Sequence, residues 1–114
     1  MVKDEASILS RLVLSADWQG QIFRFYWRTQ WRQLRVNING KNITINTWFA
    51  RKNKPLKIQL DDLNMSIEFK KLASKKIAVI VLKVGGVILK VQAIALRTGA
   101  KVSMSSIHYA QFAK

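Results

Sequence analysis

The stretch "QLRVNINGKNITIN", residues 33–46, predicts a β-hairpin and with it the class of the fold. Asn39-Gly40 stands at its centre, and these two residue types favour the positive φ angles that a type I′ turn requires at both central positions. The apolar residues on either side of the turn alternate with polar ones, so one face of the hairpin is expected to be a core face. The register of a two-residue turn pairs Ile38 with Lys41, Val36 with Ile43, and Leu34 with Ile45.

The segment before the hairpin, Gln21 to Arg28, alternates in the same way and predicts a third strand, joined through a tight turn at Thr29-Gln30. This register places Phe23 beside Val36 and Phe25 beside Leu34, on the core face. Extending the hairpin outward places Trp31 directly opposite Trp48 on the other face. Trp27 and Arg32 are expected near the rim of the core face.

The remaining segments extend this sheet. Residues 4–17 are predicted to form a helix, because Asp4 can cap it and an apolar stripe follows at helical spacing. We expect a strand at Leu56 to Leu60 and a second hairpin around Gly85-Gly86. Between them, Met65, Ile67 and Phe69 alternate as in a strand, which we favour, whereas Leu60, Leu63 and Ile67 have the spacing of a helix, the alternative. The second hairpin should have one wholly apolar face, formed by Ile80, Leu82, Val84, Val87, Leu89 and Val91.

The predicted fold is α+β, mainly antiparallel β, in a single domain of residues 1–114. It consists of a curved meander sheet of about five to seven strands with an N-terminal helix. The tail from Ser105 has the composition of a short capped helix, so a short C-terminal helix is one alternative for it.

The composition limits the classes of partner. Twenty Lys and Arg against six Asp and Glu give a formal net charge of +14, a self-repulsion that a polyanion would relieve. Nucleic acid is therefore the first partner to consider, before an anionic membrane or an acidic protein. The chain has no cysteine and a single histidine, His108, so we expect no disulfide scaffold, no metal site and no cofactor.

Neither the first residues nor the most apolar segment indicates export or a membrane span. Asp4 and Glu5 stand where a signal peptide would need a basic region and an apolar run. Ile77 to Leu96 is long enough to span a bilayer, but Lys83 and Lys90 interrupt it. We expect a protein that is cytoplasmic or nucleoid-associated, not secreted, and without a membrane partner.

The non-core face of the first three strands is the candidate site. Its aromatic rings could stack on bases while its arginines contact phosphates, which is how single-stranded nucleic acid is bound. The alternative is that a second layer covers this face and makes the tryptophans part of the core. The candidate residues are Arg24, Tyr26, Arg28, Trp31, Gln33, Arg35, Asn46 and Trp48, with Arg51, Lys52 and Lys54 from the loop that follows.

We therefore expect a non-catalytic protein that binds single-stranded DNA or RNA. One alternative is an interaction or assembly protein that docks an acidic partner or an anionic membrane. The other is a small metal-independent ribonuclease that uses His108. The apolar second hairpin must be either sandwiched inside the fold or paired with another copy, because an exposed edge this hydrophobic would aggregate. We therefore expect a homo-oligomer.

Overall fold

A computed structural model describes residues 10–47, 55–60, 64–72 and 76–103. Within these ranges the protein consists of nine antiparallel strands and contains no α-helix. Strands β1 to β4 form one sheet in that order, and β5 to β9 form a second. The strands are β1 (Arg11–Trp18), β2 (Gln21–Arg28), β3 (Gln33–Ile38), β4 (Lys41–Asn46), β5 (Leu56–Leu60), β6 (Met65–Lys71), β7 (Ile77–Val84), β8 (Val87–Ala95) and β9 (Lys101–Val102).

The predicted antiparallel β class is confirmed, whereas the single sheet of five to seven strands is replaced by two sheets. One hydrophobic cluster contains buried residues of both sheets, so their apolar faces pack against each other as in a β-sandwich. The chain passes from the first sheet to the second only after β4, so each sheet is a continuous meander. The predicted strand at Leu56 to Leu60 is present, and Met65, Ile67 and Phe69 lie on a strand, as favoured, and not on a helix.

The first predicted hairpin is confirmed in turn and register. Asn39 and Gly40 have φ angles of 52° and 91°, the left-handed conformation that a type I′ turn requires. The Asn39 side chain also accepts a hydrogen bond from the backbone N–H of Ile22 at 3.0 Å, which ties the turn to β2. The pairs Ile38–Lys41, Val36–Ile43 and Leu34–Ile45 are all observed.

The predicted register between β2 and β3 is wrong by two residues. The connection is a four-residue loop at 29–32, closed by a hydrogen bond from the Trp31 N–H to the Arg28 carbonyl, and not a tight turn at Thr29-Gln30. Phe25 consequently lies opposite Val36 rather than Leu34. Because the shift is an even number of residues, every side chain keeps its predicted face.

The predicted helix at residues 4–17 is wrong where the structure describes it. Arg11–Trp18 is strand β1, which Gln19 and Gly20 turn back into β2 with φ angles of 52° and 80°. A bulge lies between Leu12 and Leu14, and the extra residue allows Val13 and Leu14 to be buried together. Two consecutive buried residues break strand alternation and imitate the spacing of a helix. Residues 1–9 lie outside the described ranges, as does the tail with its alternative C-terminal helix.

The faces predicted for the Gly85-Gly86 hairpin are partly wrong, because a second bulge interrupts the pairing of its strands. The turn is present, with φ angles of 60° and 81°, but the register shifts at Leu82 and Lys83 so that Leu82 pairs with Lys90. Val91 therefore lies opposite Val81, on the outer face of the second sheet, and not with Ile80 on the core face. Beyond the bulge Ile94 takes the buried position instead.

Trp27 holds the two sheets together. Its ring is fully buried and stacks on Phe69 of β6, with ring centroids 5.7 Å apart and planes inclined by 12°. Its indole N–H donates to the backbone carbonyl of Leu96, just beyond β8, at 3.1 Å. The turn that follows β8 lies so close that a Cβ on Gly99 would come within 3.0 Å of the indole ring. Two segments of the second sheet, β6 and the turn between β8 and β9, therefore contact one side chain of the first.

We expect Trp27→Phe to lower the free energy of unfolding by about 1–3 kcal/mol, because the buried Leu96 carbonyl would lose the indole N–H that it accepts. Urea denaturation measures this difference. Trp31→Phe is the matched control: its side chain is 51% exposed, so the change should stay within about 0.5 kcal/mol. Equal unfolding midpoints for the two variants would contradict the role given to Trp27.

Candidate nucleic-acid interface

The outer face of the first sheet is the surface that faces away from the sandwich core. Its residues alternate along β2 and β3 with buried ones such as Phe25 and Val36, which fixes their direction. Leu12 of β1 joins the same face, because it lies opposite Tyr26. The outer face comprises Leu12, Ser15, Asp17, Ile22, Arg24, Tyr26, Arg28, Gln33, Arg35, Asn37, Asn42, Thr44 and Asn46.

Strand pairing brings the predicted aromatic and basic residues together. Tyr26 lies directly opposite Arg35, a distance of about 5 Å between Cα atoms in an antiparallel pair. Arg28 lies opposite Gln33, and its guanidinium donates to the Gln33 side-chain oxygen at 3.3 Å. Asn46 follows on β4, opposite Gln33. The predicted residues of β2, β3 and β4 therefore form one continuous surface.

The arginines of the outer face have no carboxylate partner among the residues that the structure describes. The Nε atoms of Arg28 and Arg35 are buried and make no hydrogen bond there. Burying part of a charged group without a partner is unfavourable, so an anion on this surface would be stabilised. The whole segment between Asp17 and Asp61 lacks Asp and Glu, and it carries nine cations: Arg24, Arg28, Arg32, Arg35, Lys41, Arg51, Lys52, Lys54 and Lys57.

Trp31 lies at the end of the first sheet, in the loop at 29–32 rather than on a strand. The sheet ladder continues one step beyond Gln33, because the Thr47 N–H donates to the Arg32 carbonyl at 3.2 Å. Trp31 comes next along the chain and is half exposed. Trp48 falls outside the described residues, so the predicted Trp31–Trp48 pair stays a prediction. The same holds for Arg51, Lys52 and Lys54.

Two asparagines of this face serve the hairpin. The Asn37 side chain accepts a hydrogen bond from the Gly40 N–H at 3.1 Å and donates to Asn42 at 2.9 Å. Their amide groups fix the turn that sets the register of β3 and β4. Because their amide groups already form these hydrogen bonds, fewer of their donors and acceptors remain to bind the edge of a base.

Sequence reasoning missed the apolar part of the surface. Leu12 and Ile22 are both more than 40% exposed, and Ile22 shares the orientation of Arg24 and Tyr26 along β2. Leu12 falls in the apolar stripe of the helix predicted over residues 4–17, so the prediction directs it to the core. The signal that could have found it is Gln19-Gly20, a turn dipeptide between two apolar segments, though Gln marks such turns less clearly than Asn does.

The outer face of the second sheet has a different character. It carries an ion pair between Lys57 and Glu68, 3.8 Å apart, and an apolar cluster around Val79 and Ala93. Exposed ion pairs of this kind contribute little to stability. The continuous surface of unpaired arginines and aromatic rings therefore belongs to the first sheet.

Other kinds of site find little support in the described part of the chain. No group of three or more His, Asp or Glu side chains there could hold a metal ion. His108, the residue of the ribonuclease alternative, lies outside the described ranges. Among the residues described, no helix has the length and apolar character to cross a membrane.

Comparison of the chain with models of protein families, with curated proteins and with solved structures finds no match. The function is therefore inferred from the side chains of the outer face.

Proposed function

We propose that the protein binds single-stranded nucleic acid, without cleaving it, on the outer face of its first sheet. Arg24, Arg28 and Arg35 contact phosphates, while Tyr26 and Trp31 stack on bases. Trp48 and the basic segment Arg51, Lys52 and Lys54 extend this surface in the proposal. The strand is bound as an intact ligand, and the arginines act as permanent cations because their guanidinium groups stay protonated.

The observation that carries the proposal is the set of arginines without carboxylate partners. Arg28 and Arg35 lie on neighbouring strands, each with a buried Nε that makes no hydrogen bond within the described residues. A phosphate oxygen would supply the missing acceptor and the missing negative charge together. Tyr26 lies directly opposite Arg35, on the strand between β1 and β3. An aromatic ring is therefore adjacent to the cation that would bind the sugar–phosphate backbone of the nucleic acid.

The hydrogen bonds of the outer face favour binding that tolerates different sequences. Asn37 and Asn42 bond to each other, and the Gln33 side-chain oxygen accepts from Arg28. These amides are the groups that would otherwise read base edges. Stacking and phosphate contacts remain, and both are available to every nucleotide.

Trp31→Ala should weaken binding to a single-stranded homopolymer by about 1–3 kcal/mol, since one stacked base would lose its ring. The dependence of affinity on salt should change little, because the tryptophan releases no counterion. Fluorescence anisotropy at several salt concentrations measures both quantities. A Trp31→Ala variant that binds normally but unfolds earlier would exclude stacking on a base and give this ring a structural role instead.

Arg35→Ala should act through charge. The slope of log affinity against log salt should fall by about one phosphate contact, because fewer counterions are released on binding. The control is Phe25→Ala, whose buried ring lies on the opposite side of β2; it should lower folding stability by about 3–5 kcal/mol and affect binding only through unfolding. A salt slope unchanged by Arg35→Ala would exclude a phosphate contact at this residue.

We also propose that the protein self-associates through the tip of the hairpin formed by β7 and β8. Val87 and Ile88 are 69% and 56% exposed, which is unusual for adjacent β-branched residues at a turn. Pairing with a second copy would bury them. It would also join two outer faces into one longer binding surface with higher avidity.

Sedimentation of the wild-type protein at roughly tens of micromolar should show an oligomer, and the double variant Val87→Ser, Ile88→Ser should shift it toward the monomer. The exposed positions should tolerate these changes, so the variant should keep its unfolding midpoint. A wild-type protein that sediments as a monomer at this concentration would exclude the association.

A further inference from the structure

Arg32 and Lys71 lie at the same end of the sandwich, just beyond the stacked rings of Trp27 and Phe69. Lys71 follows Phe69 by two residues on β6, so its side chain leaves the strand on the core side. Arg32 precedes Leu34 by two residues, and Leu34 is the cross-strand partner of Trp27. Lys71 therefore extends into the gap between the sheets where the apolar core ends, and Arg32 lies at the same end of the first sheet.

Other cations surround this pair and define what we call the basic end. Lys76 accepts the Leu96 N–H with its backbone carbonyl at 2.8 Å, and Arg97 follows Leu96 in the chain. The Arg11 guanidinium donates to the Thr98 carbonyl at 3.2 Å. The basic end comprises Arg11, Arg32, Lys71, Lys76 and Arg97.

Neither carboxylate of the described residues neutralises the basic end. Asp17 lies at the far end of β1, beside the Gln19-Gly20 turn. Glu68 pairs with Lys57 on the outer face of the second sheet. Among the described residues, the basic end thus has positive charge without a counterion.

Two features show that the arrangement is unfavourable for the free protein. Partial burial lowers the pKa of the Lys71 ammonium, and the neighbouring Arg32 guanidinium lowers it further. Arg32 also has a φ angle of 52°, a conformation that glycine or asparagine adopts at lower cost. A bound anion would reverse the electrostatic cost of placing these cations together.

We propose that the basic end binds a phosphate group between Arg32 and Lys71. The planar guanidinium can contact two phosphate oxygens, and the ammonium supplies a second, compact positive charge. This site goes beyond the proposed function, because it lies on the core side of the sheet and does not need the outer face. The loop at 29–32 separates the basic end from the outer face. The phosphate therefore has two sources: the end of a nucleic-acid strand bound on the outer face, or free phosphate.

The test is the affinity for inorganic phosphate at constant ionic strength, measured by calorimetry against a chloride reference. Arg32→Gln and Lys71→Gln should each weaken phosphate binding at least about tenfold, as expected for loss of a charged hydrogen bond. Arg32→Gln keeps the backbone carbonyl that accepts from Thr47. The matched control is Lys41→Gln, an exposed cation at the opposite end of the first sheet, which should change the affinity less than about twofold.

Thermal unfolding in chloride separates this role from a purely structural one. Lys71→Gln removes a like charge beside Arg32, so its midpoint in chloride should equal or exceed that of the wild type. Phosphate should raise the midpoint of the wild type and have a much smaller effect on the variant. An equal phosphate response in both proteins, or a lower midpoint of the variant in chloride, would overturn the proposal.

Oligonucleotides with and without a terminal phosphate identify the source. A terminal phosphate that strengthens binding to the wild type but not to Lys71→Gln would assign the site to a strand end, whereas binding of inorganic phosphate alone would assign it to free phosphate. Lys71→Gln leaves the outer face intact, so it should bind an oligonucleotide without a terminal phosphate as tightly as the wild type does. If Lys71→Gln weakened binding of this oligonucleotide but left the affinity for inorganic phosphate unchanged, the proposal would be overturned, whether or not the outer face binds nucleic acid.

Discussion

The contact of Trp27 with the second sheet is the constraint on which the remaining structure depends. One ring provides stacking on Phe69, a hydrogen bond to the Leu96 carbonyl and the surface against which Gly99 closes. The hydrogen bond satisfies a polar atom that is buried within the sandwich, so the indole must stay in one orientation. With Trp27 fixed, β2 has its odd-numbered side chains in the core and its even-numbered ones on the outer face.

This division explains how so basic a chain folds around an apolar core. Phe23, Phe25 and Trp27 fill the interior from β2, while Arg24 and Arg28, which alternate with them, are directed away from it. Arg24, Arg28 and Arg35 are thereby gathered on one surface of the first sheet. A concentrated field attracts a polyanion more strongly than the same charge spread evenly, at the cost of self-repulsion in the free protein.

The sequence was most informative where local chemistry determines the backbone. Asn39-Gly40 and Gly85-Gly86 define their turns without help from the rest of the fold, and alternation assigns the faces of β2, β3 and β6 correctly. The bulges in β1 and β8 escaped prediction because an extra residue is stabilised by packing across the sheets, which no local pattern contains. The candidate residues of β2, β3 and β4 were assigned to the correct face because the predicted register between β2 and β3 was wrong by two residues, an even number. The proximity of Arg32 and Lys71 could not be foreseen, since it requires two sheets where one was expected.

The order of the two sheets along the chain has a consequence during synthesis. All strands of the first sheet precede all strands of the second, so the apolar face of β2 and β3 emerges from the ribosome before its partner exists. Leu96, which receives the indole hydrogen bond, follows Trp27 by 69 residues. At about 5–20 residues per second this separation corresponds to roughly 3 to 14 seconds of translation. During that interval the nascent chain exposes three large aromatic rings, and a chaperone or the charge of the neighbouring arginines must keep it from aggregating.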